Sequence, residues 1–551
     1  MNKRQFFKKI TGRQSESVGK QRAQAFATGA SLNPYTGPWG HAQAAHLLRR
    51  TTFGPTIARF KQAVDQGLNT TVNQLLADKA MPEPPIYFDS EEDPQVGLGE
   101  TWIGYAIPPE LNILLNGPRR RSLNSWIYES MGNDGMSIRE KMVLFWQNHF
   151  AVEVIGRNVF AYKFIDLIRK NALGDFKEMI EEITVSPGML IFLNGTQNTR
   201  FSPNENYGRE LLELFTIGRG PEAGPGDYTN YTETDVRELS RALTGWTQFV
   251  ADDGSYGSVF IPNRHDSDPK VLSHRFDNVE ITDGGENEYK TVIDIILQKK
   301  ETARFICRQL HIWFVGKDID DDVEANIIEP LADIFYNSNY QVKPVLDALL
   351  RSEYFYDQAH IGCMINHPID LLYKLTSTLE LAMPTDKFVL LDLYKRIRFY
   401  SVTLEMVPLN LPSVAGWKAF YQAPQFYENW INSTSLLNRQ DICQRFVNGF
   451  NMSGVTYRYD LIAFIERLDN NLDPNEMIQE IASIICPSNL SQAQVDYLKE
   501  ILIPGLPDYE WTVEYTDFLA DPENTQLYNG VNNKLKALFN AMVSMPEFYL
   551  I

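Results

Sequence analysis

The sequence predicts a mainly α-helical protein, a multi-helix globular array with a small β-hairpin insertion around residues 246–285. Three observations predict it. Apolar residues recur at helical spacing over most of the chain, and capping signals and Gly/Pro breakers punctuate those stretches. Only 246–285 changes grammar, alternating short apolar runs with Gly, Asp and Ser turns.

The elements follow in order. After turns at Asn33-Pro34 and Gly37-Pro38, residues 41–50 read as an amphipathic helix stopped by Gly54-Pro55, and 56–77 as a second. Residues 80–100, rich in Pro, Gly and acids, read as a loop. Helices are expected over 109–116, 118–132 and 137–152, the last opened by a Ser137/Glu140 capping box. Further helices cover 158–172, 174–185, 204–217 and 232–245, where Thr232 and Asp235 give a second capping signal. Within the insertion the strand candidates are Ser258–Ile261, Val271–Leu272 and Val279–Ile281. Helical pattern resumes over 288–314, 322–337, 341–351 and 367–382, and the chain closes on 531–544. Residues 1–33 read as a basic, flexible tail. The rest reads as one large helical domain, with a division into lobes 34–365 and 366–551 left open.

Hydrophobic residues make up 44% of the 551, and aromatic ones 12%, so there is ample material for a filled core. Lys and Arg number 51 against 70 acids, a formal charge of −19, which disfavours nucleic acid as a partner. The best internal basic cluster, Arg119-Arg120-Arg121, reads as a solvated face. Four widely spaced cysteines show no C-x-x-C pair, which argues against a zinc ribbon or a disulfide framework. No apolar run reaches the length of a membrane span. The opening Met-Asn-Lys-Arg-Gln-Phe-Phe resembles a twin-arginine export signal with Lys3 in the first Arg position, but a polar stretch follows it. A cytoplasmic location is the expectation, with export through that degenerate signal the alternative.

The richest polar constellation is 204–217 with 232–245. On a helix, Glu205, Arg209 and Glu213 fall at i, i+4 and i+8, with Glu210 adjacent, and the facing helix supplies Arg237, Glu238 and Arg241. One reading is a structural ion-pair network, since unpaired buried charge is costly. The other makes Glu210 a general base or metal ligand, with Arg209 and Arg241 holding an anionic substrate and Asn204 and Tyr207 adding hydrogen bonds. His149 sits among Phe145, Trp146 and Phe150, where either a core histidine or a functional one fits. The loop pair His265-Asp266, with Lys270 and His274 nearby, has the residue types of an acid/base or metal site. Asp318, Asp320, Asp322 and Glu329 match a calcium loop except that Val323 replaces its turn glycine, so this stretch reads as an acidic helix start. Pro330 is expected to kink or divide that helix. No Gly-x-Ser-x-Gly, Walker, dinucleotide or His-Glu-x-x-His motif occurs, so no nucleotide cofactor is expected, and a divalent metal stays open.

Several stretches carry a family likeness: Leu47-Leu48-Arg49-Arg50-Thr51-Thr52-Phe53-Gly54-Pro55-Thr56, Phe145-Trp146-Gln147-Asn148-His149-Phe150, Asn204-Glu205-Asn206-Tyr207-Gly208-Arg209-Glu210-Leu211-Leu212-Glu213-Leu214, Arg241-Ala242-Leu243-Thr244-Gly245-Trp246, His265-Asp266 with Lys270, Pro412-Ser413-Val414-Ala415-Gly416-Trp417 and Ser544-Met545-Pro546-Glu547-Phe548. From about residue 40 onward the chain resembles the bacterial domain-of-unknown-function family number eighteen hundred. That resemblance implies a mainly helical protein with no established activity. It also implies a gene neighbour related to alkaline phosphatases and sulfatases, hence a phosphatase/sulfatase-like protein partner. Gln147 stands where the family commonly has histidine, so a metal held by that His-Asn-His would have lost a ligand here.

The residues together favour a hydrolase-like enzyme. Its polar cleft would be built from Glu210, His149, His265 and Asp266 as catalytic groups and Arg209, Arg241, Asn204, Tyr207 and Lys270 as binding groups, acting on an anionic or glycan-type substrate. The alternative is a non-catalytic partner or assembly protein.

Overall fold

The computed structural model describes residues 31–551 except 91, 106, 108, 154–156 and 252–254. The expected tail therefore lies almost wholly outside the described residues. Its last residue, Asn33, is tied down where its carbonyl accepts from Glu353 N at 2.8 Å.

The first helices are α1 (His41–Thr51) and α2 (Ile57–Leu75), which Thr56 caps by accepting from Arg59 N. After the loop come α3 (Asn112–Gly132), α4 (Arg139–Phe150), α5 (Asn158–Asn171), α6 (Phe176–Thr184) and α7 (Pro187–Phe192). The break expected at Pro118 does not occur. Pro118 is buried inside α3, and Leu114, whose carbonyl its missing N–H leaves unpaired, is exposed, so water can answer it. The Ser137/Glu140 capping box does not form either. Asp134 Oδ2 accepts from Glu140 N at 2.9 Å, and the Glu140 side chain turns into the core instead.

The polar centre of the molecule is built from α8 (Glu205–Glu210), which runs on as a π turn over Leu211–Phe215, and α9 (Glu233–Ala242). Between them lies a hairpin of β1 (Glu222–Gly224) and β2 (Asp227–Tyr228). The capping box at Thr232 is present, with Asp235 Oδ2 accepting from Thr232 N at 2.7 Å. The insertion holds two antiparallel hairpins: β3 (Trp246–Val250) with β4 (Tyr256–Phe260), and β5 (Lys270–Val271) with β6 (Glu280–Ile281). Next come α10 (Glu288–Leu297) and α11 (Glu301–Phe314), split by a turn at 298–300 that periodicity does not reveal. The acidic stretch is a helix start, as expected. Asp320 Oδ1 accepts from Val323 N at 2.9 Å, and a π turn over Glu324–Ile328 precedes Pro330.

Farther along, α12 (Pro368–Tyr373) and α13 (Lys387–Thr403) lead into the C-terminal helices, which include Ser433–Asn448, Pro474–Ile485 and Thr525–Met542. A short hairpin, Phe450–Met452 with Val455–Tyr457, was not expected. One contiguous buried apolar cluster runs from Ala44 to Tyr549, and α13 packs along α3 across the 365/366 boundary. Among the described residues no helix is long and apolar enough to cross a membrane.

Two buried ion pairs pin the N-terminal layers. Arg169 on α5 grips Glu140 on α4 through Nε–Oε1 at 2.6 Å and Nη2–Oε2 at 2.9 Å, both side chains fully buried, with the guanidinium 4.4 Å from the Trp126 ring. Arg119, expected on a solvated face, is also fully buried and bonds Asp93 at 2.7 Å beside Trp102. Local sequence shows three basic residues in a row, whereas the acid that draws Arg119 inward is 26 residues away. Removing one member of a sealed pair leaves its partner charged and dry. Glu140→Gln is therefore expected to cost about 3–5 kcal/mol of unfolding free energy, measured by urea denaturation. A loss below about 1 kcal/mol would indicate a solvated pair.

Candidate functional site

Helices α8 and α9 approach closely because residue 208 is glycine. A Cβ there would meet Ser240 Oγ at 2.3 Å and Val236 O at 2.8 Å. The anticipated stack of Glu205, Arg209 and Glu213 does not form. The π turn over Leu211–Phe215 adds a residue per turn and rotates Glu213 off that face. Arg209 instead reaches across to Glu233 with two bonds of 2.8 and 2.6 Å, and Glu213 accepts from Tyr231 OH at 2.7 Å. Glu210 is partly buried, and burial together with the Glu213 charge raises its carboxyl pKa against the pull of Arg209. Tyr207 is buried and donates to Thr184 O, and Asn204 caps α8 by accepting from Asn206 N. Arg241 is held by Asp266 through bonds of 2.7 and 3.1 Å and by Glu238 at 2.5 Å. Both guanidiniums are thus already occupied by carboxylates.

His265, Lys270 and Glu288 form a separate, tighter centre. α9 ends at Thr244-Gly245, where Gly245 takes φ +97° and swings the chain into β3. Thr244 O lies 2.9 Å from His265 Nδ1; a carbonyl can only accept, so Nδ1 carries a proton. The other ring nitrogen, Nε2, faces Glu288 Oε2 at 3.1 Å. Glu288 opens α10 with its side chain fully buried, and its Oε2 also accepts from Gly284 N at 3.1 Å. Lys270, equally buried on β5, holds its ammonium 2.5 Å from Glu288 Oε1, an ion pair off the hydrogen-bonding direction. Burial opposes charge on the His265 ring, but the Glu288 carboxylate and the Thr244 carbonyl outweigh it and raise the ring's pKa. For Asp266 burial is likewise overridden, by Arg241, and the pKa is lowered. Asp283, half exposed, places a carboxylate oxygen 3.8 Å from His265 Nε2. One ligand atom each from His265, Asp283 and Glu288 lies within 4.8 Å of the others.

The structure does not bring every expected residue to this centre. His149 is walled by Phe145, Trp146, Phe150, Phe215 and Phe305, and its Nε2 lies 3.0 Å from Phe215 O. No hydrogen bond or ion pair among the described residues joins it to Glu210, Arg241 or His265. Gln147 is buried with its Nε2 unpartnered. Asn148, between them, receives Trp417 N on its Oδ1 at 2.9 Å, where a Cβ on Gly416 would approach to 2.4 Å. His274 is 60% exposed and faces Asp227 at 4.0 Å, not His265. Sequence reading missed Glu288 and Asp283. Glu288 lies 23 residues from its histidine, and at the start of a helix an acid needs no other explanation.

Fold and centre together define a class: a mainly α-helical protein with small hairpins and a buried His/Lys/Glu cluster beside half-exposed Asp283. The profile of the family described as "Protein of unknown function (DUF1800)" matches residues 46–550, and the chain belongs to that family. No curated protein and no solved structure matches the chain.

Burial lowers the pKa of His149 from its ordinary 6.5 to about 4, with only the Phe215 carbonyl opposing. The unfolded ring thus takes a proton near pH 6.5 that the folded ring refuses until about 4. Stability on this account is intact above pH 6.5 and falls as pH drops from 6.5 to 4, by about 3 kcal/mol in all. His311, likewise lowered to about 4 by burial, adds the same slope. His149→Gln should therefore flatten the decline of unfolding free energy over that window by about one proton's worth. An unchanged slope would mean the ring is solvated.

Proposed function

We propose that the protein is a hydrolase-like enzyme in which His265, Asp283 and Glu288 hold a divalent metal that activates water against an anionic or glycan-type substrate. The observation that carries this reading is the convergence of one imidazole nitrogen and two carboxylate oxygens within 4.8 Å, graded from fully buried Glu288 to half-exposed Asp283. Three protein ligands with an open side suit a catalytic centre better than a structural one. Such an ion supplies a hydroxide-like water near neutral pH.

The surrounding residues have roles consistent with that chemistry. Thr244 O fixes the His265 ring through Nδ1 and leaves Nε2 to face the ligand position. Lys270 neutralises Oε1 of Glu288, and Arg241 orients Asp266 beside it. Glu210, its pKa raised on the neighbouring helix, is the candidate general acid or base. Arg209 and Arg241 are paired, so the guanidiniums more available to an anion are Arg200 and Arg264. They are joined through Arg200 N and Arg264 O at 2.8 Å, next to His265, and have no carboxylate partner among the described residues.

Asp283→Asn separates this reading from a closed charge network, because Asp283 stands outside the buried pair. Titration of purified protein with Zn²⁺ or Mn²⁺ should give one site, weakened at least about tenfold in the variant. The melting temperature without metal should be unchanged. Wild-type protein that takes up no metal stoichiometrically, or a variant that binds as tightly, would contradict the proposal. Turnover of aryl phosphate, sulfate or glycoside probes should follow metal content.

A second reading, a partner or assembly protein working beside a phosphatase/sulfatase-like protein, is favoured by apolar side chains left in water at the start of α3. Ile113 is 98% exposed and Leu114 48%. Ile113→Asp should abolish such an association and leave metal binding intact.

A further inference from the structure

Residues 79–86 read Lys-Ala-Met-Pro-Glu-Pro-Pro-Ile, a loop whose three prolines lock φ along its path. On α3, Ser122, Trp126, Glu129, Ser130 and Asn133 fall at i, i+4, i+7, i+8 and i+11, one face of a helix about 16 Å long. Between loop and helix lies a cavity of about 380 Å³, bounded also by Arg139 of α4 and by Lys387 and Leu391 of α13. Small-molecule sites run to roughly 300–1,000 Å³. The cavities beside Lys374 and beside Trp313, about 20 Å³ each, are far below that range.

The cavity is held open by side chains that answer the loop's own carbonyls. Arg139 Nη1 donates to Lys79 O at 2.9 Å and Ala80 O at 2.8 Å, Trp126 Nε1 to Glu83 O at 2.6 Å, and Ser122 Oγ to Ile86 O at 2.6 Å. With those carbonyls taken and no N–H on Pro82, Pro84 and Pro85, the loop offers no free edge to a peptide strand. Charge around the cavity is balanced. Lys79 and Arg139 face Asp134 at 3.0 and 4.0 Å, Arg169 answers Glu140, Lys387 sits on Glu129, and Glu83 is the fourth carboxylate against these four cations. A phosphate or other strong anion meets no surplus of cations here.

The internal partners leave over a mixture of donors and acceptors. Arg139, 8% exposed, makes no hydrogen bond through Nε or Nη2 among the described residues; its Nε lies 3.4 Å from Glu140 Oε1, off the hydrogen-bonding direction. Glu129, its side chain 11% exposed, turns Oε1 to Lys387 and has no hydrogen bond to Oε2 among the described residues. The half-exposed Lys387 ammonium keeps two further N–H groups. The apolar lining, Pro82, Pro84, Ile86 and Leu391, is aliphatic, and the Trp126 ring is already packed against Arg169 and Tyr162, so no aromatic face is open to a flat heterocycle. An uncharged ligand that carries hydroxyls on an aliphatic frame meets all these conditions, since a hydroxyl both donates and accepts. We propose that this cavity binds a short, uncharged oligosaccharide laid along α3, its hydroxyls bonded by Arg139, Glu129 and Lys387. The site uses no residue of the His265 centre and stands whether or not that centre holds a metal.

The test is calorimetric titration of the full chain with maltotriose, cellotriose, xylotriose and chitotriose, beside charged trigalacturonate and the peptide trialanine. At least one uncharged sugar should bind. Glu129→Ala and Lys387→Ala should each weaken it at least about tenfold and leave the Zn²⁺ titration as in wild type. If Glu129→Ala fails to fold, Lys387→Ala carries the comparison, because its side chain is half exposed. Absence of binding by all four uncharged sugars would overturn the inference. So would tighter binding of trigalacturonate or trialanine, or a sugar affinity that the folded variants leave unchanged.

Discussion

Glu288 carries a carboxylate to complete burial at the first turn of a helix, and the elements around it are arranged to answer that charge. β5 delivers Lys270 to one oxygen, and the loop after β4 delivers His265 to the other. The end of α9 then fixes the histidine through Thr244. A lone carboxylate at this depth would be protonated or would break the packing. Hairpin β5–β6, the α9 terminus and the start of α10 are thus mutually required. The glycine-mediated approach of α8 to α9 brings Glu210 and Arg209 to the adjoining helix, which is why charged groups from four stretches of chain gather in one region.

The buried charges differ in how they are settled, and the difference separates scaffold from site. Glu140 and Arg169 face each other with two bonds and no exposure, a closed pair that explains packing and nothing more. Around Glu288 the balance is close, but Asp283 adds a second carboxylate at the surface edge, leaving room for a cation. Burial alone assigns no function. Charge left over after the internal partners are counted points to a ligand and gives its sign.

Much of the fold is legible in the sequence. The helix at 41–51, the Thr232–Asp235 box and the hairpins of the insertion announce themselves through period, capping chemistry and turn residues. The acidic run at 318–329 resolves as a helix start because Val323 cannot make the turn a calcium loop needs. What stays hidden depends on distant partners. Ser137 and Glu140 have the spacing of a cap, but an arginine 29 residues away draws the glutamate inward. The π turn at Leu211–Phe215 undoes the i, i+4, i+8 stack without any sequence mark. At the site, His265, Asp266 and Lys270 are readable as polar groups in a loop. Glu288 and Asp283 are not, since nothing local links them to the histidine. The family motifs mark Arg49 and Arg50 from the start, but only the packing shows that they are buried.

The central claim is that the His265 centre is a metal site with an accessible edge. X-ray absorption at the metal edge, on protein loaded with one equivalent of Zn²⁺, tests it most directly because it reads the ligands themselves. The account predicts one imidazole nitrogen and carboxylate oxygens at about 2.0–2.2 Å, with no sulfur. A spectrum showing sulfur near 2.3 Å, several imidazoles, or only the fully hydrated ion would contradict it.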